Sequence, residues 1–370
     1  MHRLQFHYTL SKNASPATVR NPLIDLLQAV SAEGSISAGA RLLGLSYRHV
    51  WGELKRWETE LGGELLIWEK GQSARLREFG SKLMWAERQA QARLAPQIEA
   101  LRAELERSFA MAFDDASHIV TLYASHDDAL SQLREAAITQ SSDLHLDIRF
   151  TGSVDAIRAL NEGRCVMAGF HTLENIGKNS LTERIYKPLL KPGLHKIIGF
   201  ASRTQGLMVA LGNPLGVSGL ADLTLAKKGK NLRFANRALG TGTPVIFDEL
   251  LAVAGLNADD ITGYNHTEPS HAAVAHAVLS GQADAGLGIE AAAVQTGLGF
   301  VPLVKENYNL VCLKSALEQP GIVALQALLR SPQWQTKLAA IPGYANRAAS
   351  QTGEVLSLSK VLPWWSYRKP

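Results

Sequence analysis

The sequence predicts a mixed α/β chain in two parts: a small helical N-terminal unit closed by a hairpin, then a larger unit of two α/β lobes. Three observations carry this reading. Capped runs with a 3.6-residue apolar period fill residues 21–61. A stretch from Glu78 to about Phe109 is broken by no proline except Pro96. From Ile119 onward, short apolar strand-like runs alternate with helical ones, the order that builds βαβ units and a mostly parallel sheet. At 370 residues and 46% apolar, the chain is long enough for two or three cores. With 19% charged residues spread evenly, it reads as globular and not extended.

The elements follow in order after an N-terminal segment, 1–20. Asn21-Pro22 supplies a cap and a first-turn proline, with Leu23, Ile24, Leu26, Leu27 and Val30 at helical spacing up to Gly34. Ser37 is expected to cap a short helix, Ala38 to Leu43, and Gly44-Leu45 to turn the chain. Ser46 opens a third helix, Tyr47 to about Leu61, with Val50, Leu54, Trp57 and Leu61 as its inward stripe. Two helices joined by so tight a turn are the helix-turn-helix arrangement. Leu65–Glu69 and Arg75–Arg77 then read as a hairpin with a glycine-containing basic tip, a wing, which completes a winged helix-turn-helix over 21–77.

A helix entering the major groove presents polar side chains from its first turns and keeps its far face apolar. Ser46, Tyr47, Arg48 and His49 meet that need, and Arg48 suits paired hydrogen bonds to guanine. Ser37 is placed for a phosphate, and Lys55, Arg56, Lys70 and Arg75 add cations for the backbone. One amphipathic helix bearing Arg and His is usually just solvated. Three capped helices, a tight turn and a basic hairpin in succession point to double-stranded DNA.

The run 78–112 carries Leu83, Ala90, Leu94, Ile98, Leu101 and Leu105 near heptad spacing. A single helix of that length cannot bury its own stripe, so a linker and homodimerisation helix is expected. Beyond it, 113–345 reads as the two-lobed unit. Its first strands and helices are Ile119–Ala124, Asp128–Ile138, Leu144–Phe150, Val154–Asn161 and Val166–Phe170. The second set is Leu207–Leu211, Leu232–Phe234, Pro244–Ala254, Gly263-Tyr264, His271–Leu279 and Ala285–Leu287. Residues 346–370 form a tail whose Trp364-Trp365 pair has either this unit or a second subunit to dock on.

Loops at strand C-termini gather the polar groups. Asn236-Arg237 leads into Gly240-Thr241-Gly242-Thr243 and a helix start, where backbone N–H groups and hydroxyls favour an anion. The same loop is as often merely a helix cap. Ser125, His126 and Asp127 stand at a helix start in the first lobe, Ser153 and Thr172 follow two further strands, and Ser270, His271 and Glu290 open helices in the second. Asp127 departs from a purely anion-loving set and reads also as a cap or as the group that fixes His126. Together these residues outline a cleft between lobes that closes on a small ligand. No metal site or cofactor is expected.

Two resemblances sharpen this. Ala32-Glu33-Gly34-Ser35-Ile36-Ser37-Ala38-Gly39-Ala40, with Gly44-Leu45-Ser46-Tyr47 and Trp51, resembles the N-terminal domain of ModE-type molybdate regulators over residues 20–110, the LysR-type winged helix being less similar. Residues 118–340 resemble the periplasmic-binding-protein-like domain of regulators of molybdenum metabolism. Asn236-Arg237, Gly240–Thr243, Thr267, Ser270–Ala275 and Ser280–Ala293 carry that likeness. Pro244 stands where such domains commonly place an arginine. The resemblances imply a dimeric repressor or activator on a palindromic operator, with the joining of two dimers into a tetramer left open. They imply a small anionic effector, molybdate, tungstate or a molybdenum-cofactor-related molecule, and target genes for a molybdoenzyme such as formate dehydrogenase. Arg237 and His271 leave a carboxylate such as formate open.

Composition bounds the rest. The formal charge is +4, and residues 1–110 hold 15 Lys and Arg against 12 Asp and Glu, a small surplus toward the N-terminus. Cys165 and Cys312 have no zinc or redox spacing and read as buried free thiols. The opening lacks the apolar core of a signal peptide, and no run long enough to span a bilayer occurs, so a cytoplasmic protein without membrane contact is expected. Two other classes remain: an enzyme of cofactor biosynthesis using His126, Asp127, Glu290 or Cys165, and a solute-binding transport subunit. No nucleophile and base at motif spacing support the enzyme, and the N-terminal unit argues against the transporter.

Overall fold

The computed structural model describes residues 21–67, 74–113, 118–140, 143–175, 177–224, 226–227, 230–238, 242–346 and 352–365. It divides into two compact units, one through Ala95 and one from Pro96.

In the first unit, α1 (Pro22–Glu33) starts where the Asn21 side chain accepts from the Leu23 N–H at 3.0 Å and stops at Gly34, whose φ of 65° closes the helix. The next cap is Ser35, whose hydroxyl accepts from the Ala38 N–H at 3.0 Å, so α2 runs Ile36–Leu42. This corrects the expected cap at Ser37, which lies exposed inside the first turn. Both serines have the right chemistry; Ile36 decides, because starting at Ser35 turns that side chain into the core. Gly39 lets α2 approach α1, since a Cβ there would lie 3.0 Å from the Ala29 carbonyl carbon. Gly44, at φ 67°, makes the turn into α3 (Tyr47–Leu61), capped by Ser46 through the His49 N–H at 3.2 Å.

Leu27, Val30, Val50, Leu54 and Leu65 are buried at the centre of this unit. Each contributes about 1.5–3 kcal/mol on burial. Strands β1 (Leu66–Ile67) and β2 (Arg75–Leu76) pair antiparallel as the hairpin's stem; its expected tip, with Lys70, lies outside the described residues. The long helix is α4 (Glu78–Phe113), with Pro96 inside it. On it Leu94 and Leu101, seven residues apart, stay 39% and 57% exposed.

The second unit begins with β3 (His118–Ala124), α5 (Asp128–Gln140), β4 (Leu144–Phe150), α6 (Ser153–Asn161), β5 (Met167–Leu173) and α7 (Leu181–Tyr186). In this first lobe β3 lies between β4 and β5, both parallel to it. Then comes β6 (His195–Val209), a 15-residue strand where the sequence suggested only Leu207–Leu211. The short β7 (Ala226–Lys227) and β8 (Lys230–Asn231) pair with each other. They precede β9 (Phe234–Arg237), α8 (Gly242–Ala254), β10 (Thr267–Glu268), α9 (His271–Leu279), β11 (Ala285–Ile289) and α10 (Glu290–Thr296). A second long strand, β12 (Gly299–Leu313), extends far beyond what was expected, a strand-like segment around Cys312 alone. Helices α11 (Pro320–Arg330) and α12 (Pro332–Ala339), strands β13 (Tyr344–Ala345) and β14 (Val355–Ser357), and α13 (Leu358–Val361) complete the chain.

The expectation of a mostly parallel sheet needs correcting at its centre. Among the described residues, one sheet of ten strands runs β10-β9-β11-β6-β12-β5-β3-β4, with β13 and β14 added against β6. Its wings are parallel, but β11, β6, β12 and β5 are joined antiparallel. At about 3.3 Å per residue, β6 and β12 are each long enough to run through both lobes, and their register shifts at Pro302/Val304 and Tyr308/Asn309. The lobes are thus two wings of one curled sheet sharing a double-stranded hinge. Past residue 345, β14 pairs with Lys196–Ile198, and Leu362 and Trp364 are buried in the first-lobe core with Trp365 packed beside them.

Candidate ligand-binding site and nucleic-acid interface

In the first unit, Tyr47, Arg48 and His49 all lie exposed on the opening turn of α3, beside the exposed Ser46 cap and Ser37. The Tyr47 ring stacks on Trp51 with centroids 6.4 Å apart, and Lys55 covers the Trp51 ring at 5.0 Å. Both cations expected further along this helix are paired with its own carboxylates, Lys55 with Glu58 and Arg56 with Glu53, each at 2.6 Å. Such exposed pairs are worth little and exchange readily for phosphate. Arg75 is exposed on β2 opposite Ile67.

In the second unit, the loops at the strand ends converge on a polar cluster sealed from solvent. Its centre is Arg203 on β6, which ion-pairs with Asp127 from the start of α5 and with Glu306 from β12. Asp127 also accepts from the Tyr344 hydroxyl at 2.7 Å and caps α5 through the Ala129 N–H at 2.8 Å. The cap expected of Asp127 is therefore present, and its other oxygen neutralises an arginine. Gln205, two residues along β6 from Arg203, donates to Glu306 at 2.9 Å and lies 3.3 Å from the Thr243 hydroxyl. Ser125 and Ser153 hydroxyls meet at 3.4 Å. Gly242 packs on Ser153 and His171, so that a Cβ there would come within 2.9 Å of the imidazole. The lobes are latched nearby, where Glu249 of α8 accepts from both the N–H and the hydroxyl of Thr182 on α7.

Arg237 differs from Arg203. It is 1% exposed, donates to the Glu268 carbonyl at 3.2 Å, forms no ion pair among the described residues, and leaves its Nε without a partner. Burial, and then the neighbouring Arg203 charge, lower its pKa to about 9. Burial and the two arginines likewise hold His171 and His271 well below the usual histidine range, so both rings are neutral at physiological pH. Among the described residues, His171 Nε2 and His271 Nδ1 have no hydrogen-bond partner. A buried cation without a counter-charge among the described residues, with two neutral imidazoles near it, is an arrangement that a bound anion completes.

Of the expected ligand residues, the structure brings together Ser125, Asp127, Ser153, Arg237, Gly242, Thr243 and His271. Gly240 and Thr241 lie outside the described residues. The others have different duties. His126 faces Glu99 of α4 at 3.6 Å and packs on Phe150. Thr172 accepts from Asn309 at 3.2 Å. Asn236 accepts from the Arg237 N–H, Ser270 caps α9, and Glu290 lies beside Gly343. The sequence reading missed His171, Arg203, Gln205, Glu306 and Tyr344. The signal for three of them was a charge or amide interrupting the apolar runs Ile197–Val209 and Gly299–Leu313, because a charge in a strand buried on both faces requires a partner.

Comparison with known proteins agrees with this division. The family model "PBP superfamily domain" matches residues 134–330. The model "Bacterial regulatory helix-turn-helix protein, lysR family" matches residues 23–81, where the motifs had suggested a ModE-type likeness ahead of a LysR-type one. An uncharacterized Bacillus subtilis protein, YvgK, is 32% identical over 229 residues, covering 62% of this chain and 70% of its own. An uncharacterized Clostridium pasteurianum protein, from the 5′ region of a 2Fe-2S ferredoxin gene, is 32% identical over 114 residues, covering 30% of this chain and 98% of its own. Among solved structures, full-length CbnR in complex with its target DNA aligns with a TM-score of 0.41 at 17% identity, over 83% of this chain and 98% of that one.

Proposed function

Because the chain belongs to the PBP superfamily and carries a LysR-type helix-turn-helix ahead of that domain, we propose that this DNA-binding transcriptional regulator answers to a small anion held between its two lobes. Molybdate, tungstate or a related metabolite is the effector class that the sequence resemblance implies, with molybdoenzyme or formate dehydrogenase genes as targets. The observation that carries the reading is Arg237: a fully buried guanidinium without a carboxylate, beside two neutral imidazoles with unpartnered nitrogens. Closure of the lobes on the anion supplies its counter-charge.

On the DNA side, Tyr47, Arg48 and His49 read base edges while Ser37, Lys55, Arg56 and Arg75 contact phosphates. Leu94 and Leu101, exposed seven residues apart on α4, support a homodimer or a tetramer on a palindromic operator, acting in the cytoplasm.

The test is binding of full-length protein to its own promoter region, with and without millimolar molybdate, tungstate, formate or hydrogenphosphate. Arg48→Ala is expected to weaken operator binding by about 1–3 kcal/mol. Arg237→Met is expected to keep operator binding and lose the response to the anion. Equal affinity for promoter and random duplex under all these conditions refutes the proposal.

A further inference from the structure

The buried cluster leaves acceptors unpartnered as well as donors, and the two sets describe the ligand. On the donor side stand Arg237 Nε and His171 Nε2, and His271 Nδ1 is unpartnered as well among the described residues. The tautomer of His171 follows from its surroundings: its Nδ1 lies 3.4 Å from Arg203 Nη2, which only donates, so the ring proton sits on Nε2. On the acceptor side stand Gln205 Oε1 and Glu306 Oε2. The Gln205 amide has a fixed sense, because its partner at 2.9 Å is a Glu306 carboxylate oxygen that must accept; the nitrogen faces Glu306 and the oxygen is left over. Both residues are 0% exposed, so water does not reach these atoms from bulk solvent.

A fully deprotonated tetrahedral dianion satisfies the donors. It leaves Gln205 Oε1 and Glu306 Oε2 facing oxygens that cannot donate. The penalty for such unpaired buried acceptors is of the kind that separates ligands with a hydrogen-bond donor from isosteres without one. His171 joins the two halves, 3.9 Å from Glu306 on one side and within the field of Arg237 on the other.

We propose that the effector is a small anion that carries a hydrogen-bond donor of its own, an acidic O–H or an N–H beside its anionic oxygens, received by Glu306 Oε2 and Gln205 Oε1 while Arg237, His171 and His271 hold the anionic end. The inference rests on the anion-sensing reading above and narrows it: a protonated oxyanion or a hydroxycarboxylate fits, and bare molybdate, tungstate or sulfate does not.

Calorimetric titration of the full-length protein at neutral pH tests it with two near-isosteric pairs, hydrogenphosphate against sulfate and glycolate against acetate, with molybdate alongside. The proton-bearing member is expected to bind at least tenfold tighter in at least one pair and tighter than molybdate. Glu306→Gln, whose amide donates as well as accepts, is expected to bring that ratio close to one. If the variant does not fold, the ratio in the natural protein decides. Equal binding within both pairs overturns this inference and leaves the anion sensor standing; so does tight sulfate or molybdate binding with proton uptake, the sign of a protonated Glu306. Binding of none of the five anions overturns both.

Discussion

Replacing Asp127 tests whether the buried ion network holds the second unit together. One of its oxygens caps α5 and the other receives Arg203 and Tyr344. Asp127→Asn keeps an acceptor for the Ala129 N–H and removes the charge. Breaking a buried ion pair costs about 3–5 kcal/mol; the low end, about 3 kcal/mol, applies because Arg203 retains Glu306. Asp127→Ala adds about 1 kcal/mol for the lost cap and about 1–2 kcal/mol for an unsatisfied Tyr344 hydroxyl. The alanine variant therefore loses on the order of 5–6 kcal/mol, most of the stability of an ordinary domain. Urea unfolding measures this, with amide exchange in β6 identifying the transition of this unit. Losses below about 1 kcal/mol in both variants, or equal losses in the two, refute the reasoning.

Two further outcomes follow from local geometry. Ser35→Ala is expected to destabilise the first unit by about 1 kcal/mol and Ser37→Ala by a few tenths or less, since only Ser35 caps α2; thermal unfolding of the two variants compares them directly. At Glu99, burial alone raises the carboxyl pKa, but the His126 ring, the Ser131 hydroxyl at 2.7 Å and the Arg134 charge outweigh it and set it below the usual 4.5. A lowered folded-state pKa means stability present above about pH 4.5 and lost as the pH falls through the folded value. The stability gap between the natural protein and Glu99→Gln is therefore expected to be full at pH 7 and to shrink at pH 3.5 and below in urea unfolding; a gap that does not change with pH counts against this placement of Glu99.

Signals written within one turn or one strand were legible in the sequence. The three helices of the N-terminal unit, the exposed Tyr47-Arg48-His49 turn and the βαβ order of both lobes depend on caps, glycines and apolar period, which act over a few residues. The Ser35 cap was misread by two positions because both serines have the same side chain, and which one caps depends on Ile36 reaching the core.

The amino-acid order alone determined that this chain has a capped helical unit with a polar first turn on α3, and two α/β lobes with polar loops at their strand ends. Only the tertiary structure decided that the lobes share one sheet through β6 and β12, that Asp127 and Glu306 neutralise Arg203, and that Arg237 has no counter-charge among the described residues. Asp127, Arg203 and Glu306 lie 76 and 103 residues apart along the chain, so no local pattern links them. Their pairing is set by burial: charges taken out of water are stable only where they find a partner.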